Sequence, residues 1–305
     1  MEINWYPGHM AKAKRMLGEQ ISRVDLVIEL CDARLPRSSR NPDLEKMIRG
    51  KRRLLVMNKA DLADPSASAA WLRAFRERGI DASLVQARQM KAKDVLAGIG
   101  NATRETVERA AAKGLRKTVR AMVVGVPNVG KSTFINRLHG SSIARTGDRP
   151  GVTRSNQWIR VTPYLEMLDT PGLLWPKLDD QTAARRLSYL GTVKDEILNL
   201  DDLALALLDD LAETVPDRVM ERFHVRDASL RGIELMDAVC RGRGFLKKGN
   251  EPDYDRCCGV VLDEFRGGKL GRITLERPED PGLRLPDQGR PEKATGGAAE
   301  DEGDL

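Results

Sequence analysis

The stretch Ala121-Met-Val-Val-Gly-Val-Pro-Asn-Val-Gly-Lys-Ser132 joins an apolar run, a glycine-containing loop and the start of a helical pattern. A short apolar run of this kind is typical of a buried parallel strand, and the pattern after it predicts a helix over residues 132–138. The loop over residues 125–132 matches G-x-x-x-x-G-K-S, a pattern whose backbone N–H groups surround phosphate oxygens. Strand, loop and helix in this order predict a phosphate-binding unit of an α/β protein.

Similar apolar runs, separated by helical patterns, occur elsewhere in the first part of the chain. They span residues 26–30, 53–57 and 83–85. Buried strands that alternate with helices predict a doubly wound, mainly parallel sheet. Residues 156–161 and 164–168 should add a hairpin that turns at Thr162-Pro163.

The pattern changes near Pro176. Strand-like runs are few over residues 179–266, and apolar residues recur there at helical spacing, at Ile197, Leu200, Leu203, Leu207 and Leu211. The last residues are rich in Pro, Gly and acidic side chains without periodicity, a composition typical of disorder. We therefore predict an α/β domain over residues 1–177, an all-α domain over 178–277 and a disordered acidic tail over 278–305.

The predicted folded part of the chain is basic. The 305 residues carry a formal charge of +6, but residues 278–305 hold three Lys and Arg against eight Asp and Glu, which leaves +11 on residues 1–277. A field of this sign favours an anionic partner such as RNA. The alternative is a basic surface that has no polyanionic partner.

The four cysteines form no C-x-x-C pair, so we interpret them as reduced thiols rather than as zinc ligands. They are Cys31, Cys240, Cys257 and Cys258.

The first residues lack the basic and apolar regions of a signal peptide, and no apolar run is long enough to span a bilayer. We expect a cytoplasmic monomer that binds neither a membrane nor DNA.

The phosphate loop contains predicted ligands for a nucleotide and its metal. Lys131 should neutralise the β and γ phosphates, and the Ser132 hydroxyl should bind Mg²⁺. Asp169, in Asp169-Thr-Pro-Gly172, should hold the same ion through water, while the Gly172 amide meets the γ-phosphate. The predicted nucleotide contacts of the loop are Asn128, Val129, Gly130, Lys131, Ser132 and Thr133.

A polar loop rich in Pro and Gly separates these two motifs. Within Gly147-Asp-Arg-Pro-Gly-Val-Thr153, Thr153 is the candidate to complete Mg²⁺ coordination when GTP is bound. The loop would then become ordered with the γ-phosphate and relax after its loss. Thr146 is the alternative ligand, and a surface loop without this role is the other possibility.

A second motif, Asn58-Lys59-Ala60-Asp61, follows the predicted strand 53–57, where a ligand-binding loop of an open sheet belongs. The Asp61 carboxylate can accept hydrogen bonds from guanine N1–H and the exocyclic amine, whereas adenine would leave it unpaired. GTP is therefore favoured over ATP. Gln86 and Ala87 should support the base, although Gln86 stands where Ser is usual.

The order of the motifs is unusual. Small GTPases ordinarily present the phosphate loop, then D-x-x-G, then N-K-x-D, whereas here Asn58-Lys59-Ala60-Asp61 precedes both of the others. This order predicts a circularly permuted GTPase domain. It also places D-x-x-G directly before the helical domain, so that γ-phosphate contacts would influence the orientation of that domain.

These motifs together resemble the YlqF/RbgA-type circularly permuted GTPases, the ribosome biogenesis GTPase A family. Further segments that are similar to family signatures are Asn4-Trp-Tyr-Pro-Gly-His-Met10, Asp32-Ala-Arg-Leu-Pro-Arg-Ser-Ser-Arg-Asn-Pro42, Arg149-Pro-Gly-Val-Thr153, Asp169-Thr-Pro-Gly-Leu-Leu174 and Gly268-Lys-Leu-Gly-Arg-Ile-Thr-Leu-Glu276. The resemblance covers residues 1–276. It implies a GTPase that binds the large ribosomal subunit late in its assembly, with a C-terminal helical domain that contacts ribosomal RNA. It also implies that Asn128 can help to bind K⁺ beside the phosphates; otherwise Asn128 only shapes the loop.

The residue after D-x-x-G is Leu173, where Ras-like enzymes have a water-orienting glutamine. Another group must supply that function, or hydrolysis is slow. His9, in a turn predicted to be anchored by Trp5 and Tyr6, is our candidate for positioning the water, with its segment ordered on the ribosome. In the alternative, this arm only packs on the GTPase domain. His139 and His224 are interpreted as structural or surface residues.

Basic residues of the helical region are candidate phosphate contacts, namely Arg185, Arg186, Arg241, Arg243, Lys247 and Lys248. Gly242 and Gly244 should break the stretch 241–248 into a loop suited to an RNA backbone.

The leading hypothesis for the function is a GTPase whose hydrolysis of GTP releases it from a maturing large subunit. The alternatives are a GTP-dependent RNA-docking scaffold with little turnover, and a permuted GTPase that acts on another RNA, such as the small subunit.

Overall fold

Six strands form the sheet of this computed structural model, which describes residues 7–48, 50–140, 157–172 and 180–280. The strands are β1 Leu26–Asp32, β2 Arg52–Asn58, β3 Ala82–Leu84, β4 Val119–Val124, β5 Gln157–Thr162 and β6 Leu165–Asp169. Their order across the sheet is β3-β2-β1-β4-β6-β5, and all neighbours are parallel except the β5–β6 hairpin. The doubly wound, mainly parallel sheet predicted from the sequence is confirmed.

Helices cover the sheet and form the region that follows it. They are α1 Pro7–Ser22, α2 Pro42–Met47, α3 Pro65–Glu77, α4 Ala92–Ala111, α5 Lys131–His139, α6 Gln181–Tyr189, α7 Leu200–Thr214, α8 Pro216–Phe223, α9 Gly232–Arg243 and α10 Tyr254–Arg266. Several begin at a side chain that accepts a hydrogen bond from the first turn. Asp64 caps α3 in this way, with Pro65 at the first helical position.

Residues at alternate positions along β1 face opposite sides of the sheet and pack against different helices. Leu26, Ile28 and Leu30 of β1 belong to a cluster that includes residues of α4 and α5. Val27 packs instead with residues of α1 and α2, and Cys31 with Trp71 and Phe75 of α3. The sheet therefore lies between two helical layers.

The helical region has a second apolar core, built mainly from α7 to α10 and joined by Leu35 of the loop after β1 and by Leu270, Ile273 and Leu275 after α10. Helix α6 contributes to both cores, because Ala184 and Leu187 pack with the sheet cluster whereas Tyr189, with Leu190 directly after the helix, packs with the helical one. Residues 173–179, where we predict the domain boundary, lie outside the described residues, as does the tail from residue 281. The division at residue 177 stays a prediction.

Two local predictions are wrong. Gly242 lies inside α9 rather than in a loop, since a Cβ there would approach the Phe223 carbonyl oxygen to 2.3 Å, and only glycine lets α9 pack so closely on the end of α8. Gly244, with φ 66°, ends the helix. Residues 7–10, for which a turn is predicted, form the first turn of α1, with Pro7 at its start.

Parallel strands end at the same edge of a sheet, and this edge carries the predicted motifs. Asn58 is the last residue of β2, the phosphate loop follows β4, and Asp169 ends β6. Permutation of the motifs along the chain therefore leaves them together in space. In the part of the chain that the structure describes, no helix is long and apolar enough to cross a membrane.

Candidate guanine-nucleotide site

A single buried side chain joins three loops at this edge. The Asn58 amide nitrogen donates to the Val129 carbonyl oxygen at 2.8 Å, and its amide oxygen accepts from the Ala87 N–H at 2.9 Å. Asn58 is 3% exposed, so both bonds are shielded from water. The tetrad, the phosphate loop and the loop after β3 thus form one continuous rim.

The conformation of the phosphate loop depends on its glycines. Gly125 (φ 153°) and Gly130 (φ 98°) have positive φ, and so does Asn128 at 59°. A Cβ would lie 2.4 Å from the Leu30 carbonyl oxygen at Gly125, and 2.5 Å from the Asn58 amide at Gly130. At these two glycines the loop backbone lies too close to β1 and to Asn58 to leave room for a side chain. It leads directly into the N-terminus of α5, whose first N–H groups have no intrahelical acceptor and suit phosphate.

Lys131 folds back over this loop. Its ammonium donates to the carbonyl oxygens of Gly125 at 3.0 Å and Val126 at 2.9 Å, and the residue is 6% exposed. Burial lowers the pKa of Lys131 to about 8, although the nearby charge of Asp169 acts in the opposite direction. A bound phosphate would favour the charged form.

This depressed pKa predicts a pH dependence of nucleotide binding. In the role predicted for Lys131, phosphate binding requires its ammonium, so GDP affinity should fall progressively from pH 7 through pH 8, to about one tenth at pH 9 of its value at pH 7. Titration with fluorescent GDP at pH 7, 8 and 9 measures this. Lys131→Arg keeps its charge at every pH and should show no such decline, whatever its absolute affinity. Equal wild-type affinity at pH 7 and 9 would contradict the assignment.

Ser132 and Asp169 provide oxygen atoms suited to Mg²⁺. The Ser132 hydroxyl donates to the Asp169 carboxylate at 2.8 Å, and Asp169 is 1% exposed at the end of β6. Hard oxygen ligands in small number fit this ion, which usually keeps waters and takes further oxygens from substrate phosphates. No group of three His, Cys, Asp or Glu able to hold a metal occurs among the described residues.

Gly172 lies against the phosphate loop. A Cβ at this position would be 2.6 Å from the Pro127 nitrogen and Cα. This proximity brings the backbone of the D-x-x-G motif to the loop that would carry the γ-phosphate. The adjoining candidates Thr146, Thr153 and Leu173 lie outside the described residues.

The tetrad also has support from residues at the end of β1 that its sequence motif does not predict. Lys59 has φ 59°, and its ammonium lies 3.1 Å from the Asp32 carboxylate at the end of β1. Asp32 also binds the Arg34 guanidinium with two hydrogen bonds, at 2.9 and 2.8 Å. Burial acts to raise the pKa of Asp32, but the charges of Arg34 and Lys59 outweigh it and hold the pKa below its usual value. Asp61 is exposed at the tip of the loop.

The remaining predicted residues are placed as follows. Gln86 forms the turn after β3, where its carbonyl oxygen accepts from the N–H groups of Gln89 and Met90. Thr133 lies in the first turn of α5. The backbone of His9 lies in α1, and its side chain is outside the described part of the structure. None of these positions tests the predicted role.

The Asn128 side chain reaches the helical region. Its amide nitrogen donates to the Gly191 carbonyl oxygen, just after α6, at 2.6 Å. The sequence and its family resemblance indicate a structural or K⁺-binding role for Asn128 but do not predict this contact. Of the two other histidines, His224 ends α8 at φ 57° and His139 is the last residue of α5.

Comparisons with known proteins agree with this geometry. Residues 120–232 match a family described as 50S ribosome-binding GTPase. The chain is 46% identical over 289 residues to ribosome biogenesis GTPase A of Bacillus cereus, covering 94% of this chain and 98% of that protein. It is 31% identical over 285 residues to the Thermotoga maritima protein of that name, covering 91% and 95%.

Two solved structures have the same fold. The GDP-bound YlqF structure is 26% identical with a TM-score of 0.65, covering 87% of this chain and 100% of that one. The GNP-bound YlqF structure from T. maritima is 26% identical with a TM-score of 0.61, covering 88% of this chain and 99% of that one. The predicted permuted fold and GTP hydrolysis are thereby confirmed. The chain belongs to the ribosome biogenesis GTPase A family.

Proposed function

We propose that this ribosome-biogenesis GTPase binds the large ribosomal subunit in its GTP form, assists late assembly and leaves after hydrolysis. The observation that carries the proposal is that the phosphate loop, and a residue that supports the base-reading loop, both contact the helical region. Asn128 of the phosphate loop binds Gly191, and Arg34, which holds Asp32 beneath Lys59, donates to the Phe265 carbonyl oxygen at 2.9 Å. A nucleotide that alters these loops acts on elements that already touch the helical region.

The family relationship supports a ribosomal partner, and the net charge supports an RNA one. Several predicted phosphate contacts already have carboxylate partners: Arg185 and Arg186 lie near Asp210, and Arg243 binds Glu264. Arg241 and Lys248 are exposed near the end of α9 and are the better candidates.

The site residues have the following proposed roles. Asp61 accepts from guanine, while Gln86 and Ala87 support the base. Lys131 neutralises the phosphates, whose oxygens also meet backbone N–H groups of residues 128–133 and 172. Ser132 and Asp169, with Thr153, would hold Mg²⁺, which offsets phosphate charge as the γ-phosphoryl group transfers to water. Asn128 would have to exchange its bond to Gly191 for a K⁺ ligand role. The protein acts as a cytoplasmic monomer.

A subunit-specific GTPase assay tests the proposal. We expect hydrolysis to rise with large subunits and to stay at the basal rate with small subunits or without RNA, each measured in potassium and in sodium. Large subunits should co-sediment more protein with a non-hydrolysable GTP analogue than with GDP. Equal co-sedimentation with both nucleotides would contradict GTP-dependent binding, and binding without stimulation would favour the scaffold alternative. Stimulation by small subunits would instead favour a GTPase that acts on the small subunit.

A further inference from the structure

The last described segment crosses the loops that follow β1 and β2. Residues 268–277, here called the strap, leave the end of α10 and continue along these loops. The Ile273 N–H donates to the Leu62 carbonyl oxygen at 2.9 Å, and the Leu275 N–H donates to the Arg34 carbonyl oxygen at 3.0 Å. The strap therefore binds the sheet domain through its backbone.

Arg272 of the strap holds the base-reading loop from both sides of Asp61. Its Nε donates to the Ala63 carbonyl oxygen at 2.9 Å, and its Nη2 donates to the Ala60 carbonyl oxygen at 3.1 Å. Ala60 is the third residue of the tetrad, and Ala63 follows Asp61 by two positions. A planar guanidinium with two such bonds fixes the spacing and direction of the loop more firmly than one donor would.

Neighbouring strap residues restrict the same loop. Gly268 (φ 73°) contacts the Leu62 side chain so closely that a Cβ would lie 2.5 Å from its Cδ2. The Asp64 N–H donates to the Thr274 hydroxyl at 3.1 Å, and that hydroxyl donates to the Ala33 carbonyl oxygen at 3.2 Å. The strap thus contacts Ala60, Leu62, Ala63 and Asp64, the residues on both sides of Asp61.

The far end of the strap is anchored in the loop after β1. The carboxylate of Glu276 is buried and accepts from the N–H groups of Arg37 at 2.8 Å and Ser38 at 3.2 Å, and from the Ser38 hydroxyl. The Trp71 indole donates to the Glu276 carbonyl oxygen at 2.9 Å. Because this end is fixed, Arg272 presents its guanidinium at a defined position.

We propose that Arg272 is a positioning residue of the guanine site, and that the strap sets the place of Asp61 for reading the base. Recognition of the exocyclic amine needs the Asp61 carboxylate at a fixed distance and angle. Asp61 is exposed at the tip of its loop, so its position depends on the backbone that carries it. The strap bonds flank that backbone and arise more than 200 residues later in the chain.

Substitution of Arg272 in the full chain tests this role. Arg272→Ala should weaken GDP binding about tenfold, mainly through faster dissociation. It should also lower the preference for GDP over IDP severalfold, because hypoxanthine lacks the amine that Asp61 reads. Competition against fluorescent GDP gives both affinities without any ribosome, so the result is independent of the proposed large-subunit function.

Arg277→Ala is the matched control. Arg277 also lies on the strap, but it contacts the Ser66 hydroxyl at 3.4 Å and Asp64 at 3.9 Å, at the start of α3. Its loss should leave both the affinity and the GDP:IDP ratio as in the wild type.

Two results would overturn the proposal. One is wild-type GDP affinity in folded Arg272→Ala, checked by its thermal unfolding midpoint. The other is weakened GDP binding with an unchanged GDP:IDP ratio, which would reduce Arg272 to general structural support. If Arg272→Ala does not fold, Arg272→Lys, which keeps a charge but loses the planar fork, is measured by the same criteria.

Discussion

Replacement of Asp61 by Asn should reverse the base preference of the site. In the proposed role of Asp61, the wild-type carboxylate accepts from guanine N1–H and the 2-amine. An amide there can still accept from N1–H, but its NH₂ group would face the amine and leave two donors opposed. We expect GDP binding to weaken about a thousandfold, because a base-reading site discriminates strongly when a polar partner is left unpaired. Xanthosine diphosphate, whose 2-oxo group can accept from the amide, should bind the variant better than GDP.

Competition titrations of GDP and xanthosine diphosphate against the variant measure this exchange. Asp64→Asn is the matched control, since Asp64 is three residues away and caps α3 by accepting from the Ala67 N–H. Asn caps a helix as well as Asp does, so the control should keep both stability and base preference. If the Asp61 variant retained its preference for GDP, the base would have to be read by another group.

The elements of the sheet were predictable because their signals are local. The apolar run before Gly125 and the pattern after Ser132 each predict one element, and parallel strands bring the loops that follow them to one edge. This logic also explains why the motifs meet in space although their order along the chain is permuted. Asn58 and Val129, 71 residues apart, illustrate the result.

The contacts between the strap and the tetrad were not predictable in this way. Arg272 and Ala60 are 212 residues apart, and a basic side chain that binds carbonyl oxygens has no sequence pattern of its own. Both signature segments, 32–42 and 268–276, were visible in the sequence, but their pairing was not. Gly242 shows the opposite case, because its low helix propensity predicted a break that close helix packing outweighs.

The topology of α1 supports the prediction that His9 positions the attacking water. Helix α1 packs on the sheet through Leu17 and Ile21, and only residues 23–25 separate it from β1. A helix joined so closely to the strand it covers runs antiparallel to that strand. The first turn of α1, which contains His9, should therefore point toward the edge that carries the nucleotide loops.

If large subunits stimulate hydrolysis as proposed, loss of His9 should abolish most of the stimulated hydrolysis. A positioned general base or water-orienting group contributes about 10²- to 10⁴-fold, so His9→Ala should lower the stimulated rate by about a hundredfold or more and leave GTP affinity unchanged. Single-turnover hydrolysis with saturating large subunits measures the rate, and titration with a non-hydrolysable analogue measures the affinity. His139→Ala, at the end of α5, is the control and should retain stimulation. Unchanged stimulated hydrolysis in His9→Ala would leave the N-terminal segment a packing role, whereas an equal loss of GTP affinity would indicate that His9 helps to bind GTP in the ground state.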